Sequence, residues 1–407
     1  TNGFVTPGET SPATESGAPK EMNNFEYYNP TRILLGRGTI AELQRLVPTA
    51  ATIMMVYGGG SIKRNGVYDQ ALGALAGRRL TEFGGIPANP TYEVCMEAVA
   101  TARREGVDFL LAVGGGSVLD GTKFIAAAIP FTDDDPWLFM AKRGEVVPLS
   151  AVPLGAVLTL PATGSEMNPF AVISRESTEE KRAFDSELVQ PQFSILDPET
   201  TYSLSADQVR NGVVDAFVHT VEQYMTYPVE SPLQDRQAEA VFSTLIEVGP
   251  RTLAQPLDYD ARATLMWCAT AALNRHLGCG VVQDWATHMI GHELTAFYGI
   301  AHAESLAIVL PARWQCDRQR KQQKLAQYAR RVWGFKGDDD EAAAATAIEK
   351  TVKFFHSLGM PTTLADYGID REEAARRVQE RFDSRGTKLG EHGDLAPADV
   401  ATILLRC

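Results

Sequence analysis

The sequence predicts an α/β domain with a mostly parallel sheet, followed by an all-helical domain. Three observations carry this. Between residues 30 and 200, short apolar runs that end in glycine alternate with stretches of helical period, the pattern of repeated strand–helix–strand units. These runs are apolar throughout rather than at every second position, as strands are when helices cover both faces of a sheet. Beyond Ser205 the strand signals cease and only helical periodicity continues.

The elements follow in order. Residues 51–57 (Ala-Thr-Ile-Met-Met-Val-Tyr) form a buried strand that ends in the turn Gly58-Gly59-Gly60-Ser61. A helix is expected over 67–76, a short strand over 79–83 and a helix over 91–105. Residues 109–113 make a second buried strand, followed by Gly114-Gly115-Gly116-Ser117 and a helix to about Ala128. Further strands are expected over 152–160, 170–174 and 193–196, with a hairpin near 175–190. Helices are expected over 206–225, 232–248, 259–275, 283–297, 303–330, 341–357 and 397–406. Ser205-Ala-Asp-Gln reads as a helix start, and Gly299 and Gly359 as stops. The division is therefore 1–21 as a disordered extension, 22–204 as the α/β domain and 205–407 as the helical domain. The cleft between them is the expected active site.

Bulk properties narrow the function. A chain of 407 residues suits two or three domains, each with its own core. The formal charge of −13 repels nucleic acid and anionic membrane alike. No apolar run approaches the ~18 residues of a membrane helix, and the N-terminal residues lack the apolar core of a signal peptide. Five scattered cysteines without a CxxC spacing read as reduced thiols of a cytoplasmic protein. Cys268 and Cys279 are read as packing residues.

The glycine turns suit a dinucleotide. Glycine at the carboxyl end of a buried strand lets backbone approach phosphate, and the next helix presents free N–H groups there. Gly114-Gly115-Gly116-Ser117-Val118-Leu119-Asp120 has that context, although it lacks GxGxxG spacing. Around the first turn, an NAD enzyme often carries an acid for the ribose 2′-hydroxyl. Here Gly58, Gly59 and Gly60 are followed by Ser61, Lys63 and Arg64, with no acid before Asp69. Hydroxyl and cations in place of a carboxylate favour a 2′-phosphate, hence NADP(H).

Asp215, His219, His288 and His302 read as one metal site. Asp215 and His219 are four residues apart, which on a helix is about 40° of rotation and about 6 Å of rise. His288 and His292 share that spacing. His302 lies 14 residues past His288; on one straight helix they would stand about 21 Å apart. A chain break at Gly299-Ile300-Ala301 lets them meet. Three imidazoles and one carboxylate suit zinc or ferrous iron with a position open to substrate. His292 is left as ligand, proton relay or core residue.

Together these motifs resemble the iron-containing (group III) alcohol dehydrogenase family, in its NADPH-dependent aldehyde reductase/butanol dehydrogenase branch. The resemblance runs from about Met22 to the C-terminus. It rests on Thr31-Arg32-Ile33-Leu34-Leu35-Gly36-Arg37-Gly38, the Gly58–Ser61 turn, residues 111–120, and Thr159-Leu160-Pro161-Ala162-Thr163-Gly164-Ser165-Glu166. It also rests on Asp215-Ala216-Phe217-Val218-His219 and on residues 283–302. It implies a Rossmann-like domain, an all-α domain of the dehydroquinate synthase-like architecture, NADP(H) and one divalent metal. It places the metal on Asp215, His219, His288 and His302, with His292 a nearby non-ligand. It implies phosphate binding at Gly115, Gly116 and Ser117, with Asp120 near the nicotinamide. A second cofactor loop falls on Thr159, Thr163 and Ser165, and the cofactor lysine on Lys181. NAD-using relatives carry Asp where this chain has Gly59. Members pair through the N-terminal strand region, implying at least a homodimer.

The expected reaction is reduction of a small aldehyde to a primary alcohol, with Asp120 and His292 at the chemistry. The alternative is a polyol (glycerol-type) dehydrogenase or another chemistry on the same fold. A lyase for a phosphate-bearing substrate would need cations, and residues 280–310 contain no Lys or Arg. Trp285, Phe297 and Tyr298 suit an uncharged substrate with an apolar tail. Met167, Asn168 and Phe170 line the substrate pocket or belong to the core.

Overall fold

A computed structural model describes residues 21–407. The expected extension 1–21 lies outside them but for Glu21. Eight strands form: β1 (Arg32–Leu35), β2 (Thr52–Tyr57), β3 (Arg79–Phe83), β4 (Phe109–Gly115), β5 (Leu154–Leu160), β6 (Phe170–Arg175), β7 (Glu180–Asp185) and β8 (Phe193–Leu196). Helices of two turns or more are α1 (Val67–Ala74), α2 (Tyr92–Glu105), α3 (Gly116–Ala128), α4 (Ala206–Tyr224), α5 (Pro232–Ala254) and α6 (Tyr259–Ala272). They continue with α7 (Ala286–Tyr298), α8 (His302–Cys316), α9 (Gln322–Arg331), α10 (Asp340–Ser357), α11 (Arg371–Arg385) and α12 (Pro397–Leu404).

Six strands make one parallel sheet in the order β1-β8-β5-β4-β2-β3, and β6 pairs antiparallel with β7. Alternate residues of β2 enter different cores. Ile53 and Met55 pack with Val67, Leu111 and Ile195 on one side; Met54 and Val56 pack with Leu119, Leu110 and Leu158 on the other. Both faces are therefore covered, which is why the strands are apolar throughout.

The described chain divides into two compact units, 28–216 with 251–274, and 217–250 with 275–407, the latter joined by residues 21–27. The first holds the sheet, the hairpin and α6. The second is helical, with a core that includes Ile290, Leu294, Ile308, Val378, Phe382 and Ile403. No helix among the described residues is long and apolar enough to cross a membrane.

Three helical expectations need correction. The span 303–330 is two helices, one ending at Cys316 and the next starting at Gln322; between them Lys321 Nζ donates to the Met225 carbonyl at 2.7 Å and to Asp284 at 3.1 Å. The span 232–248 continues to Ala254 through Pro250. Helix α11 was not expected, although Ala374, Val378 and Phe382, four residues apart, make a buried stripe on a highly charged helix. Its N-cap Asp370 accepts from Glu373 N at 2.8 Å, and it stops at Gly386 with φ 61, both local signals of a helix.

Candidate metal centre

Helix α4 opens with a reciprocal cap: Gln208 N donates to Ser205 Oγ at 3.2 Å, and Ser205 N to Gln208 Oε1 at 3.1 Å. Gly212 then passes the 159–166 loop so closely that an added Cβ would lie 2.3 Å from the Pro161 carbonyl oxygen. Asp215 and His219 follow on the same helix, both buried.

Helix α7 is held at its start by side chains that accept its free N–H groups. Asp284 Oδ1 accepts from Ala286 N at 3.1 Å, and Glu222 Oε1 from His288 N at 3.0 Å. It ends at Gly299, φ 70, and α8 begins at His302, where Glu304 Oε2 accepts from Ala301 N at 3.2 Å. The turn between them brings the rings of His288 and His302 to 5.3 Å. Gly291 lets the helices approach, since a Cβ there would stand 2.8 Å from Ser305 Oγ.

One ligand atom from each of Asp215, His219, His288 and His302 lies within 4.8 Å of the others. His292 is outside that group, its ring 5.2 Å from His302 and 6.3 Å from His288. The donor set fits a divalent ion: four mostly buried ligand groups, nitrogen and oxygen only, at mutual distances a tetrahedral or five-coordinate ion can span. His288 Nδ1 meets Glu222 Oε1 at 3.0 Å, so Nε2 is the ring nitrogen that could serve an ion. Burial and the charge of Asp284 push the Glu222 carboxyl well above the ordinary carboxylate value.

The expected cofactor residues lie in the sheet-containing unit. Gly58, Gly59 and Gly60 follow β2, and Gly60 has φ 89 where Ser61 begins a single helical turn. Lys63 Nζ sits 5.0 and 4.6 Å from the ring centres of Tyr57 and Tyr68, whose hydroxyls donate to Glu82 at 3.1 and 2.9 Å. Gly114 and Gly115 end β4, and Gly116 begins α3; a Cβ on Gly116 would meet the Thr163 side chain at 2.5 Å. The two loops expected to bind cofactor are thus packed on each other. Thr159 lies near the end of β5, and Thr163 Oγ1 accepts from Ser165 N at 3.2 Å.

Asp120 braces these loops. Its Oδ1 accepts from Ser165 Oγ at 2.6 Å and its Oδ2 from Val172 N at 2.9 Å. Burial raises its carboxyl above the ordinary value, against the opposing pull of Lys123. Lys181 Nζ donates to Asn89 Oδ1 at 2.9 Å, and Asn89 N to Ser117 Oγ at 3.3 Å. Burial lowers Lys181 to about 8, while Asp215 and Asp120 pull the other way. The lysine is therefore within electrostatic reach of both a cofactor-loop acid and a metal-site acid.

Sequence reasoning missed several of these partners. Asn89 adopts φ 57, and Asn before Pro90 is a turn signal. Lys123, one turn after Asp120, donates to the Asn168 and Phe170 carbonyls, both at 2.8 Å. Asn168 in turn donates to the Leu273 carbonyl at 2.9 Å, so it serves as an internal brace. Glu222 lies on the Asp215 and His219 face of α4, legible from its spacing. The cations of α11 are not legible from residues 280–310: Arg377 and Arg381 lie 4.2 and 4.5 Å from the Phe297 ring centre.

A parallel nucleotide-type sheet, a helical partner and a three-histidine, one-carboxylate centre define a metal-dependent dehydrogenase class. The chain belongs to the iron-containing alcohol dehydrogenase family: that family's sequence model matches residues 30–198, and the model of the family's C-terminal domain matches 210–405. It is 55% identical to the NADPH-dependent aldehyde reductase YqhD of Escherichia coli K12, over 92% of this chain and 97% of that protein. The crystal structure of E. coli YqhD superposes with a TM-score of 0.93, covering 95% of this chain and 99% of that one at 52% identity. An NADH-dependent butanol dehydrogenase A from Thermotoga maritima superposes with a TM-score of 0.89 at 36% identity, over 95% and 99% of the chains.

Proposed function

We propose that this protein reduces small aldehydes to primary alcohols with NADPH, in a reversible, metal-dependent reaction. The observation that carries the reading is the convergence of Asp215, His219, His288 and His302 within 4.8 Å, in a chain of this family. A divalent ion, zinc or ferrous iron, supplies carbonyl polarisation and NADPH supplies the hydride. Three neutral imidazoles and one carboxylate leave the bound ion net positive, as polarisation requires.

The chain's own residues bind and orient. Gly115, Gly116 and Ser117 take the pyrophosphate at the N-terminus of α3. Gly58, Gly59, Gly60, Ser61 and Lys63 take the adenosine end, with Ser61 and Lys63 on the 2′-phosphate. A carboxylate at position 59 would repel that phosphate, and glycine does not; this supports NADPH in a family whose members also use NADH. Thr159, Thr163 and Ser165 form the second cofactor loop, and Lys181 donates to the cofactor from its buried position. Asp120 acts through Ser165 as a positioning residue. The product oxygen takes its proton through water, the ribose hydroxyl or a protonated His292, an imidazolium that solvent then reprotonates. Trp285, whose ring centre lies 5.1 Å from that of His288, suits a small uncharged aldehyde; Phe297 and Tyr298 instead pack under Arg377. A homodimer in the cytoplasm completes the reading; analytical ultracentrifugation tests the first and cell fractionation the second.

The primary test is NADPH oxidation with butanal by metal-stripped protein, before and after adding Zn2+ or Fe2+. Restored turnover with one ion supports the reading and names the ion. No turnover with either overturns it.

A further inference from the structure

Helix α4 supplies more than two ligands. Glu222 lies three residues past His219 and seven past Asp215, on the same face. Its side chain is 2% exposed. Its Oε1 accepts from both the backbone N–H and Nδ1 of His288, each at 3.0 Å. Its own carbonyl accepts from Asp284 N at 2.8 Å. Asp284 is held by Arg313 at 3.0 Å and Lys321 at 3.1 Å, so the segment that starts α7 is anchored from several sides.

We propose that Glu222 is a positioning residue of the metal centre: it holds His288 as the Nδ1–H tautomer, aims Nε2 at the other three ligands, and so sets how tightly the metal is retained. This rests on the metal reading above. The geometry makes two jobs separable. Accepting from the backbone N–H caps α7 and serves the fold. Accepting from Nδ1 orients the ring and raises the basicity of Nε2, which serves the ion. Asp215 and His219 are positioned by the same helix, so one element sets three of the four ligands, one of them through Glu222.

The test uses the full chain and Zn2+ as the probe. Dissociation constants are measured by chelator competition for the parent, Glu222→Gln and Glu222→Ala. The thermal midpoint of each metal-free form is recorded alongside. Glutamine keeps an acceptor for the ring and the cap but loses the charge; alanine loses both. Zn2+ binding is expected to weaken about tenfold in Glu222→Gln and to approach a hundredfold loss in Glu222→Ala. The metal-free midpoint of Glu222→Gln should stay near that of the parent. Dissociation constants within twofold of the parent in both variants overturn the role of Glu222, as does weakened binding in Glu222→Gln matched by an equal loss of metal-free stability. A parent that binds no Zn2+ overturns the metal reading itself, so the two failures are distinguishable.

Discussion

Replacing Gly212 by alanine should empty the metal centre while leaving a folded protein. The new Cβ would stand 2.3 Å from the Pro161 carbonyl oxygen. That oxygen belongs to backbone, so no side-chain rotation relieves the clash. Moving from 2.3 Å to the 3.0 Å floor of real Cβ contacts requires helix and loop to separate by about 0.7 Å. Asp215 lies three residues further along α4 and moves with it. Metal–ligand distances tolerate only about 0.2 Å, so the carboxylate, with His219 on the same helix, leaves bonding range of an ion held by His288 and His302. Overpacking of this kind costs about 1–3 kcal/mol, which a chain of this size is expected to survive. Metal content after dialysis, a Zn2+ dissociation constant and butanal-dependent NADPH oxidation make the assay. Activity should fall by about a hundredfold or more, with metal affinity reduced and the far-ultraviolet circular dichroism unchanged. A variant that keeps its ion and turns over within threefold of the parent would refute the claim that Gly212 sets the Asp215 position.

Three further outcomes are expected. His302→Ala should lose metal and turnover and remain folded; turnover retained in that variant would sink the proposed chemistry. Gly59→Asp should shift preference from NADPH toward NADH. A carboxylate about 4 Å from the phosphate costs ~1–4 kcal/mol between bulk-water and protein-surface dielectrics, and an unchanged ratio of kcat/KM values for the two cofactors would count against the assigned phosphate site. Lys181, lowered to about 8 by burial, is cationic below that pH and neutral above it. If the cation binds cofactor, kcat/KM for NADPH should fall above pH 8, by up to about tenfold per pH unit, and Lys181→Met should be low and without that limb. A parent profile flat from pH 7 to 10 would exclude the role.

The alternation of strand and helix, the glycine turns and the candidate metal residues were legible in the sequence because each depends on local rules. Apolar runs report burial on both faces of a strand, and Gly299 at φ 70 reports a stop that L-residues disfavour. Periodicity alone could not rank His292 against His302. Both histidines belong to plausible pairs, and only the turn through Ile300 and Ala301 puts His302 into the group within 4.8 Å. At the break between α8 and α9, Lys321 reaches Asp284 and the Met225 carbonyl, partners 37 and 96 residues away. The brace from Glu222 to His288 spans 66 residues, and Arg377 reaches Phe297 across a comparable gap in the chain. Such contacts arise when separate helices pack, and a linear pattern carries no distance between helices. Residue types and local turns thus determined which chemistry this protein has the groups for. The packing of α4, α7 and α8 decided which histidines come within 4.8 Å of Asp215 and which acid meets His288.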